Sequence, residues 1–252
     1  MTFHRHLSRA PLREALIDIQ FEPRVPLERI DKFVAGLGSR FVAKGDLWET
    51  FFGLTHEASS NAPPTTQSSQ SVVGRRLELD DGLYVLQCRV QGFTLSRLTP
   101  YGEWSDLEGE TKRLWSGFLG VVGRLTVTRI AVRYINELKL PMPILDFGTY
   151  LTCPPKIPEG LPQGVISFLS RVVIPDEANG SVSVVTQALE GPPNEGSGAS
   201  TITVVLDIDV FRQTRLDSLR TEDVWSCLAT LREQKNRMFF AHLTEKTVEM
   251  YT

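Results

Sequence analysis

Apolar and polar residues alternate from Glu14 to Glu22, with Ala15, Ile17, Ile19 and Phe21 on one side of the alternation. A period of two marks a strand buried on one face, and Pro23 stops it. From Pro26 the period lengthens: Leu27, Ile30, Phe33, Val34, Leu37 and Phe41 recur at helical spacing behind a residue suited to a first helical turn. Leu47 to Thr55 reads as an aromatic strand. The Ser-, Thr-, Gln- and Pro-rich residues 57–71 that follow predict a mobile loop. Leu77 and Leu79 lead through Asp80, Asp81 and Gly82 into Leu83 and Val85, a hairpin signal, and Gln91-Gly92 predicts a second reversal before Phe93 to Leu98.

Trp104 to Gly120 predicts a helix with Leu107, Leu114, Trp115, Phe118 and Leu119 near one face and Ser105 as its N-cap. The strand Leu125 to Leu140 is long enough to cross a whole sheet and is stopped by Pro141 and Pro143. The second half of the chain starts again, with a strand expected from Phe147 to Leu151 and an apolar segment of undecided type from Val165 to Ile174. Strands at Ser181 to Leu189 and Thr201 to Phe211 follow, joined by the flexible composition of residues 190–200. A helix from about Glu222 to Leu243 closes the chain, and Lys235 interrupts its stripe of Val224, Leu228, Leu231 and Met238. Each half is thus a set of strands closed by a helix. The pattern predicts an α+β fold of two related lobes, residues 1–142 and 143–252, each a mainly antiparallel sheet meander with helices packed on one face. Such a sheet leaves its other face free for solvent, a partner or the second lobe.

Composition narrows the class without naming a function. With 41% hydrophobic and 23% charged residues among 252, the chain has the make-up of an ordinary globular protein with enough material for a real core. A net charge of −3 produces no field that announces nucleic acid or an anionic membrane. No run approaches the roughly 20 apolar residues that span a bilayer, and the N-terminus lacks the apolar centre of a secretory signal, so the expected location is cytoplasmic. Cys88, Cys153 and Cys227 form no C-x-x-C pair and are expected to be reduced and structural.

Against this background Asn136 is conspicuous. Ile130, Val132, Tyr134, Leu138 and Leu140 share one face of their strand, and alternation puts Asn136 on it too. A buried amide must find partners, so it is expected either to pin a bend between the lobes or to meet a ligand. The opposite face carries Arg129, Arg133 and Glu137; with the meander alongside, Arg89 and Arg97 are expected to join them on one surface able to bind phosphate, an acidic peptide or RNA. The alternative is a solvated face on which the arginines pair with Asp18, Glu14 and Glu137. Asp207 and Asp209 share a strand face but lack a third ligand at a recognisable spacing, and no metal is assigned. His242 ends the last helix, where an imidazolium suits the C-terminus. Met238, Phe239 and Phe240 predict a helix wedged between lobes or against another protomer, because adjacent helical residues point about 100° apart. A nucleophile elbow, a P-loop, a dinucleotide fingerprint and H-E-x-x-H are all absent, so no catalytic residue or cofactor is assigned.

Four blocks carry a family likeness: PLREALIDIQFEP, TPYGEWSDLEGETKRLW, RIAVRYINELKLP and LREQKNRMFFAHLTEK. In their order and spacing the chain resembles a sporadically distributed family of uncharacterised bacterial proteins of similar length. The resemblance implies no established activity, cofactor or catalytic residue. The family's patchy distribution resembles that of genes on mobile or defence-associated islands. Leu231-Arg232 stands where a Leu-His pair is common in that family. Three functions follow as expectations. The first is a cytosolic, non-enzymatic binding or interaction protein, accessory or antitoxin-like, whose partner is another protein or a second copy. The second is an enzyme on a phosphorylated or nucleic-acid substrate, with Arg133 and Asn136 orienting it and Asp18 or Glu137 as base. The third is a homo-oligomeric structural component held by the last helix.

Overall fold

A computed structural model describes residues 7–55, 65–79, 82–189 and 201–252. Nine strands form one antiparallel sheet: β1 (Leu12–Glu22), β2 (Phe41–Thr55), β3 (Thr65–Leu79), β4 (Tyr84–Arg89), β5 (Gly92–Leu98), β6 (Thr126–Pro141), β7 (Leu169–Asp176), β8 (Ser181–Leu189) and β9 (Thr201–Asp217). Their order across the sheet is β2-β3-β4-β5-β1-β6-β9-β8-β7. Helices α1 (Leu27–Gly36), α2 (Trp104–Val122) and α3 (Thr221–His242) contribute to a single core with the sheet, and the short α4 (Glu245–Glu249) follows.

The mixed α+β character and the placing of helices on one side follow from the patterning. The inward residues of β1, Ala15, Ile17, Ile19 and Phe21, are buried, as are Leu107, Leu114, Trp115 and Phe118 of α2. Phe21, Phe93, Trp115 and Phe118 pack with ring centroids 5.4–6.1 Å apart, so α2 is anchored on β1 and β5 by aromatic area. Where two lobes were expected, the sheet runs unbroken across both halves. β6 pairs with β9 along nearly its whole length, from Thr126↔Asp217 to Pro141↔Thr201. The expected boundary at residues 142 and 143 therefore falls between two halves of one sheet that share a core.

Several elements differ locally from their sequence reading. Of the loop expected at residues 57–71, Thr65 to Ser71 belong to β3 and pair with β2, because a ladder needs backbone groups and not apolar side chains; residues 57–64 lie outside the described residues. Residues 190–200 lie outside them too. Phe147–Thr149 is a 3-10 turn instead of a strand, since Asp146 accepts the Gly148 amide at 2.7 Å and turns the chain. Glu103, not Ser105, caps α2, in a reciprocal box in which its own amide donates to Asp106 at 3.1 Å.

Candidate functional site

The helix-free face of the sheet is built by the polar halves of the alternating strands. On β1 these are Glu14, Leu16, Asp18 and Gln20; on β6, Arg129, Ala131, Arg133 and Ile135; on β9, Asp207, Asp209 and Phe211, which alternate with buried Leu206, Ile208 and Val210. Registers set the rows: Asp18 lies opposite Thr94 and Ala131, and Arg133 opposite Leu16 and Asp209. Small residues beside large charged ones let the long side chains lie down across the sheet.

Asp18 is the hub. It is 7% exposed, and its Oδ1 accepts from Arg89 Nη2 at 2.5 Å and from the Thr94 hydroxyl at 2.6 Å. Its Oδ2 accepts from Arg129 Nη1 at 2.9 Å and Gln20 Nε2 at 3.3 Å. Arg129 continues the chain through Nη2 to Asp209 at 3.0 Å, with its guanidinium 4.4 Å above the Phe211 ring. Arg133 grips Asp207 with a two-pronged fork at 2.9 and 2.6 Å. Three arginines thus meet three aspartates, and the surface neutralises itself. Asp209 keeps one buried oxygen, Oδ1, without a donor among the described residues, and burial pushes its carboxyl above the ordinary range against the pull of Arg129 and Arg133.

The network corrects two expectations. Arg133 and Arg129 take Asp207 and Asp209 as partners in place of Glu14 and Glu137, and Glu137 receives Arg13 instead, at 3.0 Å. Arg97 is not on this face. The Arg89↔Gly92 pairing of the β4–β5 hairpin sends Thr94 and Ser96 outward, and Arg97 follows Phe93 and Leu95 to the helix side, its guanidinium 4.6 Å above Tyr84. Gly92 leaves room for this arrangement: a Cβ there would meet the Arg89 guanidinium at 2.8 Å and push that side chain aside. Beyond Arg89, a hollow of about 300 Å³ opens at the strand ends, lined by Gln20, Arg24, Glu49, Arg89, Gln91 and Thr128.

Asn136 lies on the helix side, 2% exposed, and its Nδ2 donates to the Leu206 carbonyl of β9 at 2.9 Å and to Tyr134 O at 3.4 Å. It joins the two halves of the sheet and does not belong to the charged face. Phe239 enters the core, with Met238 and Phe240 packed against it and the Phe239 and Phe240 rings 5.2 Å apart. His242 faces back along α3, its Nδ1 2.7 Å from Met238 O.

Two features escaped the sequence reading. The aromatic content of β2 marks a strand without saying whether it is covered, and Trp48, Phe51 and Phe52 are 59–73% exposed. They stand on a part of the β2–β3 hairpin beyond Gly74, where the ladder between β3 and β4 ends. Nothing in their spacing distinguishes a covered ribbon from a bare one. The second feature is a hydrogen bond of 2.7 Å between the hydroxyls of Tyr101 and Tyr134, the latter counted as an apolar position. Among the described residues no three His, Cys, Asp or Glu side chains converge as a metal site requires, and no helix is long and apolar enough to cross a membrane. No protein-family model matches the chain, and no curated protein matches it.

Proposed function

We propose that the protein is a non-enzymatic binding module for another polypeptide, which it takes on the bare β2–β3 ribbon and the adjoining helix-free sheet face. The exposure of Trp48, Phe51 and Phe52 carries this reading. Successive residues of a strand point to opposite sides, so the exposure of both Phe51 and Phe52 means that both faces of the ribbon are open. Clustered exposed aromatics are the anchors of interfaces, and β2 is also an edge strand with unpaired backbone groups, able to receive a partner strand. The neighbouring face adds specificity in place of net charge, because its guanidinium and carboxylate groups are held in place by one another.

The test is affinity capture from the host cell at low salt with three baits: wild type, Arg133→Glu, and the triple variant Trp48→Ala, Phe51→Ala, Phe52→Ala. A stoichiometric polypeptide retained by wild type and lost by the triple variant supports the module, and its loss by Arg133→Glu extends the surface to the sheet face. Retention by the triple variant at wild-type level overturns the assignment to the ribbon. Recovery of bare protein that is dimeric by light scattering only when the ribbon is intact identifies the partner as a second copy.

A further inference from the structure

On the other side of the sheet, beneath α3, the core holds a cation with no counter-charge among the described residues. Val224, Leu228 and Leu231 define the buried stripe of α3, and the next position of that stripe is Lys235, 6% exposed. Its neighbour Gln234 is equally buried but fully engaged, donating to Ser183 at 3.1 Å and accepting from Ser181 at 2.6 Å. Lys235 has no such partners. Its ammonium stands 3.5 Å from the centroid of the Tyr134 ring, and the charge acting on it is the like charge of Arg232, one turn earlier on the same face.

Arg232 is half-buried, stacked 5.3 Å above the Trp104 ring, and makes no ion pair among the described residues. The groups around the two cations are the Tyr134 ring from β6, the Tyr101 hydroxyl bonded to it, and Trp104 at the start of α2. Asp106, the carboxylate acting on Tyr101, is held in the α2 cap, and Glu108, which accepts from the Trp104 indole at 2.7 Å, is paired with Lys112 at 2.7 Å. A buried ammonium beside a permanent guanidinium, with no acid between them, is costly unless something negative is supplied from outside. On the opposite face Arg89, Arg129 and Arg133 are all paired with aspartates, whereas Lys235 and Arg232 have no acid partner among the described residues.

We propose that Lys235 and Arg232, with the Tyr101–Tyr134 hydroxyl pair, form a binding site for the oxyanion group of a small ligand, a carboxylate or a phosphate. Arg232 gives the first contact at the half-open rim and a fork that matches two oxygens; Lys235 supplies a point charge below it; a tyrosine hydroxyl donates a hydrogen bond. The site is separate from the ribbon and the charged face, so neither proposal depends on the other. Burial and Arg232 hold the Lys235 amine down to about 7, so an oxyanion binds best where the amine is charged and weakens as pH rises.

The experiment is a calorimetric and thermal-shift titration with inorganic phosphate and, separately, with acetate, against chloride at matched ionic strength. It uses wild type, Lys235→Met and Arg232→Gln at pH 6.5 and pH 9. The expected result is saturable binding of one anion at pH 6.5, at least tenfold weaker at pH 9, tenfold weaker in Arg232→Gln and lost in Lys235→Met. The anion that saturates at the lower concentration identifies the group. A response that rises without saturation, or is the same in both variants as in wild type, overturns the proposal. Arg232→Gln changes a half-buried residue, so the test stands even if Lys235→Met perturbs the fold.

Discussion

Asn136 and Lys235 break two hydrophobic patterns for different reasons. Asn136 makes two backbone contacts and adds a link between β6 and β9 that a leucine would lack. Replacing it with leucine removes a donor from a buried carbonyl, and urea denaturation is expected to show a loss of about 1 to 3 kcal/mol. Lys235 has the opposite character, being a buried charge without a hydrogen bond. Its folded value of about 7 lies below the ordinary 10.5, so between these limits the unfolded chain binds a proton that the folded chain does not. Stability therefore rises with pH across that window, and below about 7 the whole cost of burying the charge is present. Lys235→Met removes the effect. Relative to that variant, wild type is expected to gain up to about 1.4 kcal/mol per pH unit between pH 7 and 9 in chloride buffer, measured by denaturation at each pH. Equal slopes in the two proteins would show that the amine is not desolvated.

At the scale of elements, the central strands are tied by charge as well as by ladders. Asp18 links β4, β1 and β6, and Arg129 extends the link to β9. Asp18→Asn leaves Arg89 without its counter-ion and Arg129 with Asp209 alone, and a loss of about 1 to 3 kcal/mol in chemical denaturation is expected. The exposed pair Arg124–Asp217, at 2.7 Å, provides the contrast: Arg124→Ala is expected to leave the denaturation midpoint essentially unchanged. Close backbone approach matters as much between β3 and β4. A Cβ at Gly74 would collide with the Cys88 carbonyl and lie 2.9 Å from the Arg89 Cα, so Gly74→Ala must push the strands apart. Hydrogen exchange is expected to accelerate at Gly74 to Glu78, where β3 meets β4, and to stay unchanged in β8 and β9.

For the whole molecule, the shared β6–β9 ladder and the single core predict one cooperative transition. Unfolding followed by tryptophan fluorescence, in which the buried Trp104 and Trp115 report the first half, Trp225 the second and the exposed Trp48 contributes little change, should coincide with unfolding followed by far-ultraviolet dichroism. Two separated transitions would mean that the halves behave as independent lobes. The ribbon stands apart from this cooperativity, since its aromatics are already exposed; the triple alanine variant should leave stability within about 0.5 kcal/mol of wild type.

Period alone determined much of this protein. The strands around Ile17, Val132 and Ile208, the helices over Trp115 and Leu228, the inward amide of Asn136 and the outward set of Arg129, Arg133, Asp207 and Asp209 are all legible, because burial on one face imposes a repeat of two or of 3.6. Tertiary structure decided the rest. The repeat says which side a residue takes but not which strand lies next to it, so the union of two halves in one sheet and the pairing of Arg133 with Asp207 depended on register. A two-residue reversal at Val90-Gln91 sent Arg97 to the helix side. The exposure of Trp48, Phe51 and Phe52, and the lack of an acid beside Lys235 among the described residues, are facts about what is not packed nearby. A sequence records its own residues and leaves such neighbours unstated, because solvation depends on contacts between segments far apart in the chain.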